Sequence, residues 1–189
     1  MHQGWPKFVQ NLWLATEDKG FAALVYDPSE LNIKLPDGTP VNFIEETDYT
    51  FNDLVKFTYK SPASTVFPLH LRIPAWCGQA EIKINGKLWM QPKGNQVIRL
   101  TRKWKKKDVV ELRLPMKIQF NRWFNNSVGL ERGPLVYALR VEESWKEVKN
   151  EKDKAVYGDY LEVYPKTPWN YALWDKVIKG PENNIEMNN

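Results

Sequence analysis

Polar and apolar positions alternate along much of this chain, and the alternation is sharpest between Leu69 and Pro115. Glu81-Ile82-Lys83-Ile84 puts both isoleucines on one face of a strand. Val97–Thr101 and Val109–Leu114 follow the same period and are rich in β-branched residues. Asn85-Gly86 sits between two such runs, and both residues tolerate the positive φ of a tight hairpin turn. Pro74 is placed to end the strand Leu69–Ile73. Earlier, Phe21–Tyr26, Leu31–Leu35, Val41–Glu46 and Asp53–Lys60 read as strands, with a turn at Asp37-Gly38. Later, Met116–Phe120, a buried Leu135–Leu139 and Leu161–Tyr164 read as strands, with a turn or bulge at Arg132-Gly133-Pro134. Glu142–Asp159 is charged enough to read as loop, and Pro181–Asn189 as a frayed end. The exception to strand patterning is residues 4–15. Trp5, Phe8, Val9, Leu12 and Trp13 recur at helical spacing, with Pro6 in the first turn and Lys19-Gly20 beyond the end. The pattern as a whole predicts a mainly β fold, an antiparallel β-sandwich, with a short N-terminal helix.

Composition narrows the function classes. Hydrophobic residues are 42% and charged residues 26% of 189, an ordinary globular balance. No apolar run approaches the roughly 20 residues that span a bilayer, so no membrane helix is expected. Met1–Pro6 has neither the basic nor the apolar region of a signal peptide. A net charge of +4 does not by itself demand a polyanionic partner. The single cysteine, Cys77, has no second cysteine with which to build a disulfide or a thiolate zinc site. The nine tryptophans are either core material or platforms for sugar rings.

Candidate chemistry is sparse. Glycoside hydrolysis needs two opposed carboxyl groups, and Glu45, Glu46, Glu131, Glu142 and Glu143 are available. Glu45 and Glu46 are adjacent on a strand and point to opposite faces, so surface or salt-bridge roles are expected for them. His70 lies between Leu69 and Leu71 and reads as a surface or hydrogen-bonded residue, while pairing it with His2 makes only a weak metal site. Cys77 reads as an inert, semi-buried thiol. Arg102-Lys103-Trp104-Lys105-Lys106-Lys107 is the densest charge run. It fits a solvated turn with Trp104 over the core edge; the alternative is a site for an anionic polymer, though no nucleic-acid motif accompanies it.

Five motifs occur in order: Met1-His2-Gln3-Gly4-Trp5-Pro6-Lys7-Phe8, Leu71-Arg72-Ile73-Pro74-Ala75-Trp76, Ile84-Asn85-Gly86, Leu112-Arg113-Leu114-Pro115-Met116, and Leu130-Glu131-Arg132-Gly133-Pro134-Leu135-Val136-Tyr137. Together they resemble the C-terminal part of glycoside hydrolase family 127, the β-L-arabinofuranosidase-like enzymes, over roughly residues 1–175. The resemblance implies a catalytic (α/α)6 barrel followed by β-sandwiches. It also implies a zinc-associated cysteine nucleophile and a glutamate acid/base, all carried by the barrel. None of the matched motifs is catalytic. The family's cysteine pair sits just ahead of the segment that Met1–Trp5 resembles, so the resemblance implies that this chain lacks the nucleophile and the zinc ligands.

The resulting expectation has three parts. Residues 1–17 are a residual helix of the barrel, 18–117 a complete sandwich, and 118–189 part of a second sandwich with a frayed tail. The chain would be an accessory region, inactive alone, partnered by a catalytic barrel in a longer or separate polypeptide. Phe8 and Trp13 would lie on the docking face, and His2 and Trp5 would border the active site of the intact enzyme. Zinc belongs to that intact enzyme and no cofactor to this chain. The alternative is a carbohydrate-binding module for plant-type arabinose-containing glycans, stacking sugars on Trp76, Trp89, Trp104 and Trp123. Location follows only by analogy, as periplasmic or secreted.

Overall fold

The computed structural model describes residues 4–149 and 158–185. Its first elements are α1 (Gly4–Gln10), β1 (Trp13–Ala15), β2 (Phe21–Ala23), β3 (Ser29–Lys34), β4 (Pro40–Thr47), β5 (Leu54–Tyr59) and β6 (Thr65–Ile73). Next come β7 (Glu81–Ile84), β8 (Lys87–Met90), β9 (Gln96–Trp104), β10 (Val109–Arg113) and β11 (Ile118–Arg122). The remainder holds β12 (Val128–Arg132), β13 (Leu135–Tyr137), β14 (Glu143–Val148), β15 (Tyr160–Pro165) and α2 (Asp175–Lys179). The chain divides into two compact units. The first runs to Lys117 and takes in Arg132–Leu135; the second holds Ile118–Glu131 and the chain from Val136.

The first unit is a sandwich. A four-stranded sheet, β1-β2-β6-β9, faces a six-stranded sheet, β3-β4-β5-β10-β7-β8. Alternation decides which side chains go between them. Val55, Phe57 and Tyr59 of β5 are buried, as are Leu69, Leu71 and Ile73 of β6 and Val110 and Leu112 of β10. The centre is aromatic. Trp104 stacks on Phe67 at 5.5 Å and meets Phe43 edge-on at 5.1 Å, while its indole N–H donates to the Phe67 carbonyl at 3.0 Å. Burying a tryptophan costs little when its one donor is satisfied, which is why this indole sits inside rather than at the rim. The β7–β8 turn has positive φ at both Asn85 (52°) and Gly86 (76°), as the sequence predicts.

Three departures have physical causes. The predicted helix over 4–15 stops at Gln10, and Trp13–Ala15 pairs antiparallel with Phe21–Ala23. Trp13 lies near-parallel to Phe43 at 6.1 Å and meets Phe57 edge-on at 5.8 Å, so core packing outcompetes helical spacing. Trp13 is therefore part of the sandwich and not of a docking face. Second, β2 pairs parallel with β6, Phe21 opposite Leu69, although alternation suggests antiparallel neighbours throughout. Third, β14 occupies part of the charged stretch read as loop; Ser144, Lys146 and Val148 share one face, and Glu143, Trp145 and Glu147 the other.

The second unit contains a three-stranded sheet, β11-β12-β13, and a two-stranded one, β14-β15. The predicted buried strand Leu135–Leu139 ends at Tyr137, and Val136 and Leu139 are exposed. Among the described residues of this unit, Ile118 is the one buried hydrophobic side chain. A two-stranded ribbon is marginal alone, and β14-β15 exposes Trp145, Leu161 and Val163 on one face and Tyr160 and Tyr164 on the other.

Candidate functional site

One side of the first unit is flanked by β1 and β3, the edge strands of its two sheets. It forms a groove of about 440 Å³, lined chiefly by Trp13, Phe21, Leu31, Ile33, Leu35 and Pro36. Trp13 also begins a chain of hydrogen bonds leading inward. Its indole N–H donates to Ser29 Oγ at 2.9 Å, and Ser29 Oγ donates to Glu45 Oε2 at 2.9 Å. Glu45 is 2% exposed. Its other oxygen, Oε1, is buried without a hydrogen-bond partner. Burial pushes its pKa up to about 8, against the opposing hydrogen bond from Ser29, and the charge of Asp27 adds to the rise. The carboxyl therefore carries a proton at neutral pH. This corrects the expected surface or salt-bridge role for Glu45. The opposed facing of its neighbour holds: Glu46 points outward to Lys56 at 3.2 Å. A glycosidic pair needs two carboxyls facing substrate, and Glu45 is sealed from any.

A second cluster lies on the outer side of the four-stranded sheet. Asp18, in the β1–β2 turn, accepts from Arg99 Nε at 2.8 Å and lies 3.1 Å from His70 Nε2. His70 and Arg99 are cross-strand partners, so pairing of β6 with β9 sets them side by side. The hydrogen bond from Thr16, with those from Arg99 and His70, holds the Asp18 carboxyl down at about 2.

The tryptophans singled out in the sequence differ widely in exposure. Trp104 is wholly buried and has no ring face to offer a sugar. Trp76 is half-buried against the core. Trp89 (42% exposed) and Trp123 (64% exposed) present their rings to solvent but belong to different units. Trp5 is 73% exposed on α1, with Phe8 edge-on to it at 6.1 Å. His2 lies outside the described residues. Cys77 is fully buried, deeper than expected, and burial pushes its thiol up, away from the nucleophilic thiolate. Glu131 is half-buried, and Glu142 and Glu143 are exposed. No three His, Cys, Asp or Glu side chains stand together as a metal site among the described residues, and His70 is engaged by Asp18. The donors described here do not fit a zinc centre.

Residues 21–116, the span from β2 to just past β10, match the family model described as "Beta-L-arabinofuranosidase, GH127 middle domain". The chain belongs to this family. The match coincides with the sandwich and its core, so the motifs at Leu71–Trp76, Ile84–Gly86 and Leu112–Met116 lie where the family places its middle domain. No curated protein shows significant similarity to the chain. Among solved structures, one titled "Glycoside hydrolase" is 24% identical with a TM-score of 0.60, over 84% of this chain and 31% of its own. A GH127 β-L-arabinofuranosidase from Geobacillus stearothermophilus T6 is 23% identical with a TM-score of 0.60, over 87% of this chain and 30% of its own. The GH127 β-arabinofuranosidase BT3674 is 18% identical with a TM-score of 0.56, over 78% and 28%. These likenesses show a shared fold. The chain spans about a third or less of each of these proteins.

Proposed function

We propose that this chain is a non-catalytic sandwich region of a β-L-arabinofuranosidase-type glycoside hydrolase, supporting a catalytic (α/α)6 barrel and without turnover of its own. The observation that carries the reading is the coincidence of the GH127 middle-domain match, residues 21–116, with the sandwich core. α1 supports it further. None of its residues is buried, and Trp5, Phe8 and Val9 expose apolar surface. Such a stripe fits a helix whose packing partner is a neighbouring helical domain. Zinc, in this reading, is bound by that barrel.

The test is hydrolysis of an aryl β-L-arabinofuranoside by the purified chain, with and without added zinc. The reading predicts no release of the aryl group in either condition. Turnover that depends on zinc would overturn it. A second reading, a carbohydrate-binding module, draws on the exposed rings of Trp89 and Trp123. It predicts arabinan binding that Trp89→Ala or Trp123→Ala weakens.

A further inference from the structure

The strand topology of the first unit gathers lysines that are far apart in sequence at one end of the sandwich. Asp108 is the hub. In the β9–β10 turn its Oδ2 accepts the Lys105 backbone amide at 2.8 Å and pairs with Arg102 at 3.1 Å. Its Oδ1 accepts from Asn85 Nδ2 at 2.8 Å, which ties the β7–β8 turn alongside. The end of β5 is bound to the same place, with Lys107 N–H donating to the Tyr59 carbonyl at 2.9 Å and Tyr59 N–H to that of Asp108 at 2.8 Å. Lys60 N–H in turn donates to the Asn42 carbonyl of β4 at 2.9 Å, and Ser61 Oγ to the Pro40 carbonyl, opposite Lys34. Lys34, Lys60, Lys87, Lys105, Lys106 and Lys107 are thus displayed together, all exposed. None has an ion-pair partner among the described residues. The acids within these turns are two: Asp108 is buried and paired with Arg102, and Asp37 accepts the Thr39 backbone amide at 2.9 Å.

We propose that this end of the sandwich binds an acidic, uronate-bearing polysaccharide. Like charges held close by a rigid frame raise the local concentration of a polyanion more than the same charges dispersed. Lysines are point charges on flexible stems, suited to anionic groups scattered along a polymer rather than to forked recognition of a single carboxylate or phosphate. The features that would favour nucleic acid are occupied elsewhere. Trp104 is buried and cannot stack a base, and Arg102 is held by Asp108 with its guanidinium 5.4 Å from the Trp104 ring. The choice of a polysaccharide among polyanions rests on the family reading above; the lysine cluster does not.

The test uses the full chain and measures binding to polygalacturonate, to neutral arabinan and to a single-stranded oligonucleotide across a salt series. The proposal predicts polygalacturonate binding at low salt that weakens steeply as salt rises. Lys105→Gln/Lys106→Gln/Lys107→Gln should reduce it by about tenfold or more. Lys93→Gln/Arg113→Gln/Lys117→Gln, the same charge change at the opposite end of the first unit, should leave it within about twofold, since screening confines the effect to nearby charges. No polygalacturonate binding at low salt, equal loss in both triple variants, or tighter binding to the oligonucleotide would overturn the proposal. None of those results alters the prediction of no arabinofuranoside turnover, so the two readings fail separately.

Discussion

The two units of this chain are built from the same kinds of residue and differ in what those residues find to pack against. In the first, apolar side chains on alternate strand positions meet from two sheets and vanish from solvent. In the second, Trp145, Leu161, Val163, Trp169 and Trp174 remain exposed. Hydrophobic content alone does not stabilise a β structure; a second layer does. The first unit owns both of its layers. The second presents apolar strands whose cover is not among the described residues, and its ribbon β14-β15 is held by backbone pairing and by the Lys146–Glu162 ion pair at 3.6 Å.

The contrast can be broken most forcefully at Trp104. Trp104→Ala should cost about 3–5 kcal/mol, because it empties the centre of a core that cannot collapse. Trp145→Ala in the ribbon should change stability by no more than about 0.5 kcal/mol, since its ring is already in water. Urea unfolding of the two variants, followed by far-ultraviolet circular dichroism, compares them directly, and similar losses would remove the distinction between the units.

Glu45 gives the next effect, and its sign is fixed by linkage. Its pKa rises from 4.5 to about 8 on folding. The folded state therefore holds a proton that the unfolded state has released between those values. The resulting stability is fully present below about pH 4.5 and is lost as pH rises through about 8. Glu45→Gln should flatten this slope and, at pH 9, raise stability by on the order of a few kcal/mol relative to the parent. Equilibrium unfolding at pH 6 and pH 9 measures it; a parent protein whose stability holds constant across that range would show that Glu45 is not a buried neutral acid.

Backbone crowding produces a smaller loss. A Cβ at Gly94 would stand 2.2 Å from the Cys77 carbonyl oxygen and 2.7 Å from that of Pro74. Gly94→Ala should cost about 1–3 kcal/mol through displacement of that loop, whereas Gly158→Ala, which meets nothing within 4 Å, should cost almost nothing. Thermal melts of the pair sharpen the comparison, because the crowded glycine belongs to the packed unit and the open one to the other.

Much of the sandwich was legible in the sequence because strand alternation is a local signal. Val55-Lys56-Phe57 announces its own faces, and Asn85-Gly86 announces its own turn. What was not legible depends on partners far along the chain. Trp13 has helical spacing with Phe8 and Val9, and only Phe43, Phe57 and Ser29 draw it into the sheet. The parallel pairing of β2 with β6 is decided by residues some 48 positions apart, Phe21 and Leu69. By residue type alone Glu45 reads as solvent-facing; its burial comes from register, opposite Ser29 and Phe57. The candidate site shows the same limit. The lysine run at 105–107 is visible in the sequence, but Lys34, Lys60 and Lys87 join it only through the topology.

Amide hydrogen exchange resolved along the chain tests the central contrast most directly. Strong protection is expected in β4, β5, β6, β9 and β10, approaching the global unfolding free energy, and rapid exchange in β14 and β15. Protection in β14-β15 equal to that of β5 and β10 would contradict it, and would mean that the second unit buries its strands as completely as the first.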